Sequence, residues 1–152
     1  RAVIVFLMFV GSCAGSTAGG IKVVRAQLLW KNLRRDIHQS IHPNAVRVIK
    51  LDGKPVDEKI MSGVTGFFYA YMLITMLATI VVSLDGHSLE TSFSAVLTTI
   101  SNVGPGLGQV GPKGNFSIFS DLSKITLSMC MLLGRLEIFP ILLLFVPSAW
   151  RR

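Results

Sequence analysis

No charged side chain occurs between Ile60 and Leu84, and from Leu127 to Trp150 only Arg135 and Glu137 interrupt an apolar run. A helix needs about 20 apolar residues, at roughly 1.5 Å each, to cross roughly 30 Å of hydrocarbon. Both runs are long enough. Two spanning helices are therefore expected, one over Ile60 to Leu84 and one from about Phe119 to Trp150. A length of 152 residues would suit one soluble domain, but 51% hydrophobic and only 15% charged residues place the chain in the membrane class.

Between these spans lies backbone that a bilayer would normally forbid. Ser88 to Ile100 is too short to span and too apolar toward its end for a simple exposed loop. Ser88 is positioned to cap a helix there, and Glu90 falls in its first turn, where an acid complements the positive helix end. The expectation is a re-entrant helix whose partially negative C-terminal end points into the membrane. It runs into the polar, glycine-rich stretch Ser101-Asn102-Val103-Gly104-Pro105-Gly106. Irregular backbone at membrane depth is tolerated only where protein buries it or where it lines a watery path. Ion coordination supplies such a reason, and the helix polarity favours a cation.

A second glycine-rich stretch, Gly11 to Gly20, separates apolar Ala2–Val10 from a helical pattern over Ile21 to Trp30. Glycine costs about 1 kcal/mol relative to alanine in a helix, so a broken helix is expected, either movable or closely packed. The order apolar segment, glycine loop, helix is also that of a phosphate-binding loop. Here Ile21 stands where the lysine should be and Val23 follows Lys22, so the match fails at its essential positions. A membrane-tethered nucleotide-binding module using residues 11–22 is the alternative in the binding class. A non-conducting accessory membrane segment is the other.

Nine of the 15 basic residues (Lys22, Arg25, Lys31, Arg34, Arg35, Arg47, Lys50, Lys54, Lys59) fall between Lys22 and Lys59, against Asp36, Asp52, Asp57 and Glu58. By the positive-inside rule residues 22–59 should be cytoplasmic, as should the basic end 151–152, with 85–118 on the outer side and re-entrant. Nucleic acid is not an expected partner, because Trp30 is the only aromatic candidate for base stacking in the loop. Asp52-Gly53 between extended runs predicts a small β-hairpin whose second arm is short because of Pro55. His38 and His42 read as solvated loop residues. Cys13 and Cys130 read as small packing residues, with neither a disulfide framework nor a metal site. Arg135 falls near the middle of the second span, where a charge costs about 2.5 to 3.5 kcal/mol and must face protein or water. Gly134 beside it leaves space for a neighbouring backbone.

Span, re-entrant helix, polar loop and span, in that order, resemble the M1-P-M2 unit of potassium channels. More closely, the chain is similar to the C-terminal part of the Trk/Ktr/HKT potassium-transporter family. Three segments carry the likeness: Ser101 to Gly106 as a fourth-unit filter, Gly11 to Gly20 as an intramembrane gate loop, and Gly134-Arg135-Leu136-Glu137 as the segment whose arginine faces that loop. The resemblance implies an all-α integral membrane fold. Residues 1–35 would end a third-unit M2 helix, 36–59 would be the cytoplasmic loop with its hairpin, and 60–152 would be the fourth M1-P-M2 unit. It further implies potassium uptake across the inner membrane of a bacterium, by a transporter and not an enzyme. Potassium would sit at the backbone carbonyls of Ser101, Asn102, Val103 and Gly104, supported by Thr98, Thr99, Pro105 and Gly106. Gly11, Gly15, Gly19, Gly20 and Arg135 would form the gate. Implied partners are membrane lipid, the remaining units of the same polypeptide, a second copy in a homodimer and a cytosolic nucleotide-binding regulatory subunit. No covalently bound cofactor is implied, and coupling to sodium ions or protons stays open. The sequence reads as the C-terminal portion of a longer membrane protein.

Overall fold

The structure, a computed structural model, describes residues 2–11, 19–42, 49–51 and 54–136. These residues form helices α1 (Ala2–Val10), α2 (Val23–Ile41), α3 (Glu58–Ser83), α4 (Leu89–Ile100) and α5 (Asp121–Arg135). A short antiparallel pair joins β1 (Lys50–Leu51) to β2 (Lys54–Pro55), with Lys50 opposite Pro55. The turn expected at Asp52-Gly53 lies outside the described residues.

Among the described residues α3 is the one helix long and apolar enough to cross a membrane. It begins two residues before the charge-free run, because Asp57 caps it by accepting a hydrogen bond from Lys59 N at 3.4 Å. Its polar side chains are tolerated because they satisfy themselves: Thr75 Oγ1 donates to Tyr71 O (2.8 Å) and Thr79 Oγ1 to Thr75 O (2.7 Å). One face of α3, with Phe67, Tyr71, Thr75, Ala78 and Val82, is buried at helical spacing. The opposite face exposes Tyr69, Leu73, Met76, Leu77 and Ile80. An apolar stripe on both sides is the pattern of a helix that meets protein on one flank and something other than water on the other.

α4 packs against both α3 and α5, which also touch each other, and every residue from Ser94 to Ser101 is buried. Ser88 caps it, its hydroxyl accepting from Thr91 N at 3.3 Å. Where the second span is expected from about Phe119, helix α5 begins two residues later, at Asp121. Phe116–Ile118 forms a 3-10 turn, and the Ser120 hydroxyl accepts from Ser123 N at 3.3 Å to start α5. Residues 137–152, including Glu137, lie outside the described residues, as does Cys13. Cys130 is buried and reduced.

α2 runs to Ile41, past the boundary expected at residue 35. Pairs four residues apart extend it, with Asn32 Nδ2 donating to Asp36 Oδ2 (3.2 Å) and Ser40 Oγ to Asp36 O (3.0 Å). Pro43 then disfavours helix at the preceding residue. His38 therefore sits in the last helical turn, not in a loop, with its ring centroid 5.2 Å from that of His42. The β pair packs at the base of α2 and α3, where Leu28, Ile49, Met61 and Val64 form a small cluster.

Asp85, just past the end of α3, joins it to the start of α5 by accepting from Ser120 N at 2.9 Å. The Ser120 hydroxyl and backbone N–H hold its carboxyl below the usual carboxylate range. A depressed folded value means that the stabilisation is fully present above the unfolded pKa and disappears as the pH falls through the folded one. Asp85→Asn should therefore lower the melting temperature at neutral pH, with the gap to wild type closing as the pH drops below about 4. Thermal denaturation across that range checks it.

Candidate ion site

The end of α4 determines how the polar stretch begins. Val103 N donates to Thr98 O (3.0 Å) and Asn102 N to Thr99 O (3.1 Å), with Asn102 at φ 52. These paired bonds around a left-handed residue are the Schellman termination, and after glycine, asparagine adopts that conformation most readily. Asn102 thus stops the helix. Its Nδ2 also donates to Met131 O on α5 at 3.3 Å, tying the loop to the neighbouring helix.

Beyond Asn102 the chain runs exposed through Val103, Gly104 and Pro105, and returns to a buried Gly106. Gly104 has φ 109, a region essentially closed to residues with a β-carbon, yet nothing lies within 4 Å of where that carbon would be. Its requirement is conformational, beside open space. The stretch is fastened from behind: Thr98 Oγ1 donates to Pro105 O (3.2 Å), Gly106 N to Val110 O (2.8 Å) and Leu107 N to Ser94 Oγ (3.1 Å). Buried Thr99 instead turns its hydroxyl to Ala95 O at 2.9 Å. Ser101 is buried, and its hydroxyl lies 3.1 Å from Tyr71 Oη. Tyr71 is held edge-on by Phe9 at 5.7 Å between ring centroids.

Under this loop three segments distant in sequence meet. A β-carbon on Gly19 would sit 2.6 Å from Ile100 O and 3.0 Å from Gly134 O. One on Gly134 would collide with the same Ile100 carbonyl. Gly20, at φ 87, approaches Ser101 Oγ, and Gly11, at φ 76, lies against the Gly19 carbonyl. The structure thus brings Gly11, Gly19 and Gly20 together beneath Ser101, with Gly134 closing the group. Gly15 lies outside the described residues. Arg135 follows Gly134 as the last residue of α5 and is exposed.

The sequence profile of TrkH, described as a cation transport protein, matches residues 1–151. The chain belongs to the TrkH family. That family is one of transport proteins and not of enzymes. The chain is similar to the Trk system potassium uptake protein TrkH of Escherichia coli K12, 45% identical over 143 residues that cover 94% of this chain and 29% of that protein. It is similar also to Trk system potassium uptake protein TrkG of the same organism, at 38% identity over 97% of this chain and 31% of that one. The crystal structure of the potassium transporter TrkH from Vibrio parahaemolyticus superposes with a TM-score of 0.87 at 40% identity, over 99% of this chain and 32% of that one. The chain thus has the helical fold of a portion of that transporter, and spans about 30% of the length of these relatives.

Several residues that shape this TrkH-family site escape a reading of the sequence. Tyr71 reads as packing, but it lies behind Ser101; its only signal is its place on the apolar α3 stripe. Ser94 gives no sign that it will hold Leu107. Gly134 signals a close approach, but not the partner, Ile100 of α4.

Proposed function

We propose that this chain forms one wall of a potassium pathway in a membrane transporter, with the carbonyls of Ser101, Asn102, Val103 and Gly104 replacing part of the ion's hydration shell. The observation that carries the reading is Gly104, whose left-handed backbone stands in open space on a loop fastened at Thr98, Ser94 and Val110. Rigid backing and an open front are what a carbonyl filter requires. The C-terminal end of α4 adds a partial negative charge at its mouth. The M1-P-M2 reading makes α3 the first span, α4 the pore helix and α5 the start of the second span. The domain division expected above is retained in the same sense, with the third-unit helix extended by the observed end of α2.

The relatives' names supply the ion, potassium, and the direction, uptake. Because the chain covers under a third of their length, further units of the same polypeptide complete the pathway. Localisation in a bacterial inner membrane, a homodimer, a cytosolic nucleotide-binding regulatory subunit docking on residues 22–59, and coupling to sodium ions or protons belong to the same proposal. The whole transporter should restore growth of an uptake-deficient bacterium at low potassium. Failure to do so with normal membrane expression contradicts the reading.

Gly11, Gly15, Gly19 and Gly20, with Arg135, form the gate, in which a positive charge opposes a cation that has passed the filter. Arg135→Ala should raise ion flux about tenfold, because a uniform barrier of about 1.4 kcal/mol corresponds to that factor. Rubidium flux into proteoliposomes measures it, and unchanged or lower flux removes Arg135 from the gate.

A further inference from the structure

A groove opens between α1, α2 and α3. Its upper part is a cavity of about 430 Å³ whose wall is mostly apolar, with Phe9, Ile21, Ala26, Leu29, Trp30 and Phe68, and carries Asn32 and Asp36 toward the end of α2. A second cavity of about 450 Å³ includes Arg35, Glu58 and Ser62 in its wall and shares Asn32, Thr65 and Tyr69 with the first. An apolar compartment thus runs into one that holds both a cation and an anion. The antiparallel packing of α2 on α3 orients the pair. Arg25 stacks on Phe67 at 4.3 Å, while Leu28 joins Met61 and Val64 nearer the start of α3. The charged compartment accordingly lies at the basic-loop end and the apolar one extends toward the filter. Trp30 and Tyr69, both exposed, flank the passage as aromatic side chains do at membrane interfaces.

We propose that this groove holds a zwitterionic aminophospholipid, its acyl chain in the apolar compartment, its phosphate on Arg35 and its amine on Glu58. The assignment rests on the membrane orientation proposed above, which puts residues 22–59 in the cytoplasm and makes the occupant an inner-leaflet lipid. Charge selects the headgroup. Arg35 also lies 3.3 Å from Asp36, so a phosphate alone would meet one guanidinium beside the carboxylates of Asp36 and Glu58. A headgroup carrying an amine as well as a phosphate meets both signs. Arg34 lies 5.3 Å over the ring of Trp30, one of the wall residues of the apolar compartment. The site has a consequence for the pore. Phe9, in the wall of the apolar compartment, packs on Tyr71, and Tyr71 reaches Ser101, so an acyl chain there buttresses the back of the filter.

The test uses the whole transporter carrying this segment, equilibrated with vesicles of equal phosphatidylethanolamine and phosphatidylglycerol, extracted, washed and analysed by native mass spectrometry. Phosphatidylethanolamine should remain at about one per chain, in preference to phosphatidylglycerol. Arg35→Gln should lower its retention about tenfold. Glu58→Gln should move the preference toward phosphatidylglycerol, a relative shift that loss of folded protein would not produce. Ala26→Phe, which fills the apolar compartment, should displace either lipid. Equal retention of both lipids by wild type, no retained lipid, or retention unaffected by Ala26→Phe overturns the proposal. Lipid retention is read without transport, so a protein that keeps phosphatidylethanolamine but fails to take up potassium counts against the ion pathway and not against this site.

Discussion

Gly134→Ala in the whole transporter is expected to lower potassium uptake at least about tenfold. The position has no room for even one carbon, since the added atom would overlap the carbonyl oxygen of Ile100 at the end of α4. The contact is backbone against backbone, so no side chain can rotate away. α5 must withdraw from α4, and the hydrogen bond from Asn102 Nδ2 to Met131 O, which joins the filter loop to α5, breaks with it. Overpacking of a close interior contact costs about 1 to 3 kcal/mol. The larger effect is on geometry, because α5 and the loop move together. Membrane expression should persist while uptake falls at least about tenfold, and potassium uptake into depleted cells checks this. Wild-type uptake would show that α4 and α5 need not touch there.

Gly104→Ser should act in the opposite manner, sparing the fold and changing the choice of ion. No atom stands within 4 Å of the added carbon, so there is nothing to clash with. The backbone at φ 109 is the obstacle, costing about 1 to 3 kcal/mol for a residue with a side chain. The loop relieves that strain by rotating, which swings the flanking carbonyls away from the ion. Thr98, Ser94 and Val110 still fasten its ends, so a path persists with poorer coordination. Preference for potassium over sodium should fall about tenfold, the factor that 1.4 kcal/mol produces. Competition between rubidium and sodium uptake measures it, and unaltered preference would mean that Gly104 contributes no coordination.

The elements were legible where local chemistry decides them. The uncharged run from Ile60 to Leu84 gave α3 within two residues at its start, and Ser88 gave the start of α4, because a hydroxyl satisfying a free N–H is a local event. α1 ends at Val10 and α2 starts at Val23, on either side of the glycine-rich stretch, of which residues 12–18 lie outside the described residues. What the sequence did not reveal depends on distant partners. The end of α2 is set by i, i+4 pairs on a polar helix, which charge counting reads as loop. Asn102 was read for its carbonyl, whereas its left-handed backbone and its amide to Met131 also end one helix and tie it to the next. Tyr71 meets Ser101 across thirty positions of sequence, and no periodicity in either segment announces the pairing.

The most direct test is to locate the ion. The transporter that contains this segment, crystallised in rubidium, should show anomalous density within coordinating distance of the carbonyl oxygens of Ser101, Asn102, Val103 and Gly104. Rubidium found only elsewhere, with these carbonyls uncoordinated, would contradict the claim that this loop is a wall of the filter.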